Sequence, residues 1–355
     1  MKIIKLVNNA SVHCLVKRWG ERYVPDLSVL SCPEASQLIG IACLEGRAKT
    51  VAKLQRVMQL NCECAGIKTD VLFSYIPNVV NLSESQRLAH YVWQVYEKVL
   101  ELYKQQSPSP VTLATVSSRF AGTTDFSSDF LTKWAMPMLE MPDIEQLAMV
   151  TAPVLQQLQA QHRLTSDSRA IGFISTQFHF STELIFKRLT HLEQVLLSPY
   201  FKFVEEQVCI PLQRVCQAAA QHPPDSPSLA IVQHLLPLSQ EIASSVYRRS
   251  QQLYPTYRSR RGGLSHPGVM ASTIRDLQML QAYLWLCVLE ESMAAIKEEL
   301  LPLCIMVFPS VEVSWTLVRQ MLQLLGDELL KRVERQQKYH LLPYVQGMQQ
   351  LFSEL

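Results

Sequence analysis

The chain has 355 residues, of which 48% are apolar, 18% are charged and only 11 are Gly, with a formal net charge of +2. That apolar content excludes a disordered or collagen-like chain, and the near-neutral balance excludes a strongly basic nucleic-acid glove. Scarce Gly argues against a turn-rich all-β fold, and the length suffices for two domains. From the N-terminus, Ile3–Val7 and His13–Val16 are candidate short strands. Pro33–Leu60 is a helical run, with Leu38, Ile41, Ala42 and Ala48 at mixed three- and four-residue spacing. Cys62–Ile76 is of uncertain type, with a candidate strand over Val71–Ile76. Ser83 and Gln86 form a capping box ahead of a helix over Leu88–Lys104. Gln105–Ser118, with Ser107, Pro108, Ser109 and Pro110, reads as a loop, and Ala121–Ser128 as another. Met141–Arg163 is a helix opened by Pro142 and Asp143.

From Ser166 the helical signal is cleaner. Phe173–Arg188 reads as a short helical pair, and Leu189–Gln221 as a long helix interrupted by Pro199 and Pro211. Ser226 with Pro227 starts a helix over Ser228–Leu253. Tyr254–Pro267 is a basic loop. Gly268–Glu290 is an amphipathic helix with Met270, Ile274, Leu277, Leu280, Leu284 and Val288 along one face. Helices over Ser292–Phe308, Ser310–Gln336 and Leu342–Phe352 complete the chain. The sequence predicts an all-α fold, with short strands near the N-terminus as an option. Its two domains are a mainly helical one over 1–165 and a second over 166–355.

Nine cysteines, at Cys14, Cys32, Cys43, Cys62, Cys64, Cys209, Cys216, Cys287 and Cys304, form no disulfide-like framework. Met1–Val7 is a short basic and apolar start followed by Asn8 and Asn9, unlike a secretory signal. The thiols are therefore expected to be reduced and the protein cytoplasmic. The densest apolar stretches, Met279–Leu289 and Leu300–Phe308, fall short of the roughly 18 to 20 residues of a membrane span.

No catalytic constellation stands out. Cys62-Glu-Cys64 is the closest cysteine pair and lacks two further ligands at zinc spacing. No phosphate loop, dinucleotide fingerprint, nucleophile elbow or paired histidine motif is present. The pairs Glu290–Glu291 and Glu298–Glu299 lie on helices, where solvated faces account for them. One basic concentration exists, Arg248, Arg249, Arg258, Arg260 and Arg261 interleaved with Tyr247, Tyr254 and Tyr257. Arginine and tyrosine together suit phosphates, carboxylates or stacked bases; a solvated loop is the alternative.

Tyr257–Glu291 resembles the chromophore helix and preceding loop of the phycobilisome proteins, the phycocyanin and allophycocyanin family. The family's M-A-x-C-x-R-D motif is matched by Met270, Ala271, Ser272, Thr273, Ile274, Arg275 and Asp276, and Tyr283 stands where its tyrosine falls. A weaker match in helix order extends over about Ser166–Leu355, and residues 1–165 are not covered. The resemblance implies a globin-like second domain led by an N-terminal helical hairpin, here Phe173–Arg188. It implies that Asp276 faces the pyrrole nitrogens of a linear tetrapyrrole and Arg275 a propionate, with Tyr257, Arg258 and Arg261 nearby. Thr273 stands at the family's attachment cysteine, and a hydroxyl is a poor substitute for a thiolate. Cys287 lies 14 residues further on, roughly 21 Å along the same helix, too far to replace it.

The expectation is therefore a non-enzymatic, phycobilisome-related protein without covalent bilin. It would act in assembly, regulation or attachment of the antenna through protein contacts, in the cytoplasm or on the cytoplasmic face of the thylakoid membrane. Phe173, Phe178, Phe180, Leu184, Ile185 and Phe186 form an aromatic hairpin that either packs on the first domain or offers a pairing surface, including one for a homodimer. Two alternatives stand beside this reading: a noncovalent tetrapyrrole sensor or carrier, and a helical nucleic-acid-binding or regulatory module using the arginine loop. For Arg275 and Asp276 themselves, the plain alternative is a polar pair on a helix surface.

Overall fold

The computed structural model describes residues 15–17, 19–20, 23, 25, 32–74, 82–121, 143–164, 170–209 and 212–354. These residues are overwhelmingly helical, and a two-stranded hairpin is the one sheet among them. The all-α expectation holds. The chain forms two compact units, one of Tyr23–Leu164 with Phe173–Glu206 and one of Met1–Arg22, Thr165–Gly172 and Gln207–Leu355. A boundary near 165 would give Phe173–Glu206 to the second domain, whereas this stretch belongs to the unit of Tyr23–Leu164. The candidate strand at Ile3–Val7, residues 13–14 of His13–Val16, residues 75–76 of Val71–Ile76 and nearly all of the Ala121–Ser128 loop lie outside the described residues. Leu15 and Val16 are helical.

In the N-terminal unit the helical run from Pro33 divides into α1 (Cys32–Ala42), α2 (Leu44–Gln55) and α3 (Met58–Leu72). Cys43 makes the first break, its Sγ capping α2 by accepting from the Gly46 amide at 3.3 Å. Gly46 is required there, because a Cβ would stand 2.2 Å from the Gly40 carbonyl. Cys62–Leu72, of uncertain type in sequence, is helix rather than strand. α4 (Leu82–Gln105) starts before Ser83, which is therefore inside the helix rather than its cap. The predicted loop over Gln105–Ser118 is mostly α5 (Pro110–Ala121): Pro110 takes the first helical position, and Ser109 Oγ accepts from the Thr112 amide at 3.1 Å. Asp143 caps α6 (Ile144–Leu164) through the amides of Glu145 and Gln146.

Ala170–Phe186 is one continuous helix, α7, not a hairpin, and α8 (His191–Cys209) runs through Pro199. Thr190 and Glu193 form a reciprocal box at the start of α8, the Thr190 amide donating to Glu193 Oε2 at 2.7 Å and the Glu193 amide to Thr190 Oγ1 at 3.3 Å. Tyr96 of α4 is the hub of this unit's core. Its ring stacks on Phe201 at 4.5 Å and meets Phe178 at 5.7 Å, and its hydroxyl donates to the Phe178 carbonyl.

The C-terminal unit contains α9 (Leu212–Ala219), α10 (Pro227–Leu235), a 3-10 turn over Leu236–Leu238, and α11 (Ser239–Leu253). The hairpin β1 (Arg258–Ser259) and β2 (Gly262–Gly263) follows, within the stretch read as a loop. Next come α12 (Pro267–Glu290), a π turn over Ile296–Leu300, α13 (Leu301–Ser310), α14 (Trp315–Lys331) and α15 (Arg335–Ser353). α12 packs against α9, α10, α11 and α15, and every residue from Leu277 to Leu289 is buried. The expected single apolar face is thus a fully enclosed segment, with only the N-terminal part of α12 at the surface. Trp285 meets Trp19 edge-on at 6.1 Å. Among the described residues no helix is long and apolar enough to cross a membrane.

Candidate functional site

The residues singled out around 257–276 come together as a hairpin, a cap and the first turns of α12. Arg258 pairs with Gly263 and Ser259 with Gly262, leaving Arg260 and Arg261 as the turn. Neither arginine has positive φ; Gly262 takes that burden at φ 127°. A Cβ at Gly262 would also stand 3.2 Å from His266 Cβ, so only glycine fits. His266 caps α12, its Nδ1 accepting from the Gly268 amide at 3.2 Å, and Pro267 opens the helix.

The hairpin is stitched to the segment joining α13 and α14. The Arg260 amide donates to the Val311 carbonyl at 3.0 Å and its Nη1 to the Ser310 carbonyl at 3.3 Å. Tyr257 Oη donates to the Glu312 carbonyl at 3.2 Å and accepts from the Ser314 amide at 2.9 Å. Gln251 donates to the Leu264 carbonyl at 2.9 Å from the α11 side. These bonds hold Arg258, Arg260 and Arg261 at the surface, all three exposed. Among the described residues neither Arg258 nor Arg261 has an acidic partner.

The five-arginine cluster of the sequence divides. Arg248 is exposed on α11, while Arg249 turns to Glu328, 3.3 Å away and nearly buried, in a network with Arg332 and Glu241. Thr273, Arg275 and Asp276 are half-buried on α12. Arg275 donates to Asp276 Oδ1 from Nη2 at 3.2 Å and from Nε at 3.4 Å, a long, partly exposed pair of small energetic weight. Asp276 also lies near the buried Cys304 thiol; burial first, then this carboxylate, pushes that thiol well up.

The aromatic residues of α7 belong to another place. Phe173, Phe178 and Ile185 are buried, with Phe173 against Phe73 at 4.7 Å; Phe180, Leu184 and Phe186 are half-buried, with Phe186 against Phe201 at 5.2 Å. This helix spends its aromatic face on its own unit's core, so the expected pairing surface for a homodimer is largely occupied.

Two polar clusters carry no sequence signature. Arg47 is fully buried in the N-terminal unit, donating to the Tyr103 carbonyl at 2.9 Å, Tyr200 Oη at 3.3 Å and the Ala42 carbonyl at 3.1 Å, with its guanidinium 4.5 Å over the Tyr103 ring. Nearby, Glu193 accepts from Thr50 at 3.0 Å and Lys53 at 2.8 Å, beside a cavity of about 300 Å³ that Cys43 and Lys49 also line. Burial pushes the Glu193 carboxyl up, but the bonds from Lys53, Thr190 and Thr50 outweigh it and hold the group below its ordinary value. In the C-terminal unit Arg214 grips Glu290 with two bonds of 2.7 Å and also bonds Glu299. Glu290 and Glu299, read as solvated, are thus joined through one arginine. Arg214, Glu290 and Glu299 satisfy one another in this network.

Cys62 and Cys64 do not converge: one thiol is buried and the other exposed, two residues apart on α3. Burial pushes Cys62 and Cys216 up to about 12 and Cys287 up to about 11. Compared with protein-family models, with curated proteins and with solved structures, the chain matches none.

Proposed function

We propose that the chain is a non-enzymatic binding protein whose recognition surface is the arginine hairpin with the first turns of α12. Its partner on this reading is an acidic protein surface. The rigid hairpin carries the reading. Its backbone bonds fix where Arg258 and Arg261 leave the chain, so pairing with carboxylates orders those two exposed side chains and not the loop, and the planar guanidinium fork suits them. Arg248 and Tyr254 lie on the adjoining stretch of chain. Phycobilisome antenna proteins are the partner class implied by Met270–Asp276, as are a globin-like core and a role in antenna assembly, regulation or attachment. That identification rests on the motif alone. A tetrapyrrole carrier would need Asp276 and Arg275, which already bond to each other, so protein contact is the better supported use of this surface.

The test is binding of the purified protein to purified antenna subunits at two salt concentrations. Salt-sensitive binding is expected, weakened at least about tenfold by Arg258→Ser with Arg261→Ser, while the melting temperature stays unchanged. Absence of binding by the folded wild type, or indifference to the double substitution, removes the reading. Steeply salt-dependent binding to single-stranded RNA, lost in the same variant, replaces it with the nucleic-acid one.

A further inference from the structure

α3 is built inside out. The face it buries consists of Met58, Asn61, Cys62, Ala65, Gly66 and Thr69, small or polar residues for the most part. Small size has a clear use, since a Cβ at Gly66 would stand 3.3 Å from Gln177 Oε1, and Gln177 Nε2 reaches the Cys62 carbonyl at 2.7 Å. The opposite face carries Leu60, Cys64, Ile67 and Val71. Leu60, Ile67 and Val71 are 60%, 65% and 69% exposed, and the Cys64 thiol is exposed as well. Spacings of four, three and four place these residues on one seam of a heptad pattern, with Leu60 and Ile67 at one core position and Cys64 and Val71 at the other.

The flanks of that seam are charged with opposite signs. Glu63 borders it on one side and Lys68 on the other, both exposed. Within the chain Glu63 accepts from Gln59 at 3.0 Å, and the Lys68 ammonium lies 5.5 Å over the Phe180 ring. In a parallel two-fold pair of helices, a residue just before one core position meets the residue five places further along the partner helix. Glu63 of one copy then faces Lys68 of the other, twice by symmetry. An antiparallel two-fold pair keeps each flank against its own copy, Glu63 beside Glu63 and Lys68 beside Lys68. The charges therefore select both the occupant and its direction.

We infer that α3 is a self-association seam on which a second copy of this chain packs in parallel, through Leu60, Cys64, Ile67 and Val71. Four side chains over three turns bury well under the roughly 1,200 Å² of a standard interface, so the association is weak and reversible. The two-fold axis brings the Cys64 thiols of the two copies face to face. The inference uses no residue of the arginine hairpin and stands or falls without it.

Sedimentation equilibrium of the full-length reduced protein over a wide concentration range is the test. Wild type is expected to dimerise, with Lys68→Glu weakening the dimer at least about fivefold and Glu63→Lys with Lys68→Glu restoring it. Diamide, which takes the two thiol hydrogens as it is reduced to its hydrazine, is expected to give a covalent dimer that Cys64→Ser abolishes and Cys43→Ser does not. Ile67→Lys, at an exposed position, serves as the second variant, and unchanged far-ultraviolet dichroism verifies that it folds. A protein that stays monomeric throughout and gives no Cys64-dependent dimer overturns the inference. So does a dimer that survives Ile67→Lys, one that Lys68→Glu does not weaken, or one that the double swap Glu63→Lys with Lys68→Glu does not restore.

Discussion

α12 and α3 carry apolar residues at helical spacing, and the two helices use them in opposite ways. In α12 the segment from Leu277 to Leu289 is enclosed on all sides, so even Gln278 and Gln281 are buried. Gln281 there donates to the Ser239 and Leu277 carbonyls at 3.1 and 3.2 Å. In α3 the small and polar residues are inside, and the apolar stripe faces out. Helical periodicity thus reports that a stripe exists, while the neighbours decide which stripe is covered. Close approach of Gln177 and Ser85 to Gly66 claims the small face of α3, and Leu60, Ile67 and Val71 are left exposed.

The largest expected effect tests that contrast with one residue type. Leu284→Ala in α12 removes a fully buried side chain and opens a cavity, at a cost of about 2–5 kcal/mol. Leu60→Ala in α3 removes a side chain that is 60% exposed and is expected to change stability by no more than about 0.5 kcal/mol. Urea unfolding of each variant at a concentration where wild type is monomeric measures both. Equal losses would break the comparison.

The sequence told more about α12 than about α3, for physical reasons. Ser226, Pro227 and the long apolar period of α12 are local signals. Pro227 does start a helix and α12 is found close to its expected limits, but the single helix expected over Ser228–Leu253 is divided into α10, the 3-10 turn that holds Pro237, and α11. The α3 stripe was divided between two readings, because Leu60 closed one helical run and Val71 opened a candidate strand. Pro108 and Pro110 were read as loop residues, although Pro110 at a first helical position behind Ser109 starts α5. Arg258 and Arg261 were legible as a cluster, but the role of Arg249 depends on Glu328, 79 residues away. Arg47 in the core gave no warning, since its partners Tyr103 and Tyr200 lie 56 and 153 residues along the chain.

Thiol reactivity sharpens the same contrast. Cys64 on α3 is exposed, whereas Cys287 on α12 is buried, and burial pushes the Cys287 thiol up to about 11. The thiolate is the reacting species, so near pH 8 the folded protein presents Cys287 almost wholly protonated and out of reach. In a thiol–disulfide indicator assay Cys64→Ser is expected to lose one fast-reacting equivalent relative to wild type. Cys287→Ser is expected to leave the fast phase unchanged and to remove one equivalent only after denaturation. A Cys287 that reacts as fast as Cys64 in the native protein would show that α12 is not enclosed.

The smallest effect concerns how the two helices end. α12 closes on Glu291 at φ 51°, a left-handed conformation that costs a side-chain-bearing residue roughly 1 kcal/mol and that glycine adopts freely. Its amide and that of Ser292 both bond the Cys287 carbonyl, so the turn is fixed by backbone geometry rather than by the Glu291 side chain. α3 closes on Phe73 at φ −103°, with no left-handed residue to relieve. Glu291→Gly is therefore expected to stabilise the protein by up to about 1 kcal/mol, a rise of roughly 2–4 °C in Tm for a unit of this size. Glycine also enlarges the unfolded ensemble, which works against the gain and sets its upper limit. Differential scanning calorimetry reads the outcome, and a Tm that falls would mean the Glu291 side chain contributes more to the end of α12 than its backbone strain removes.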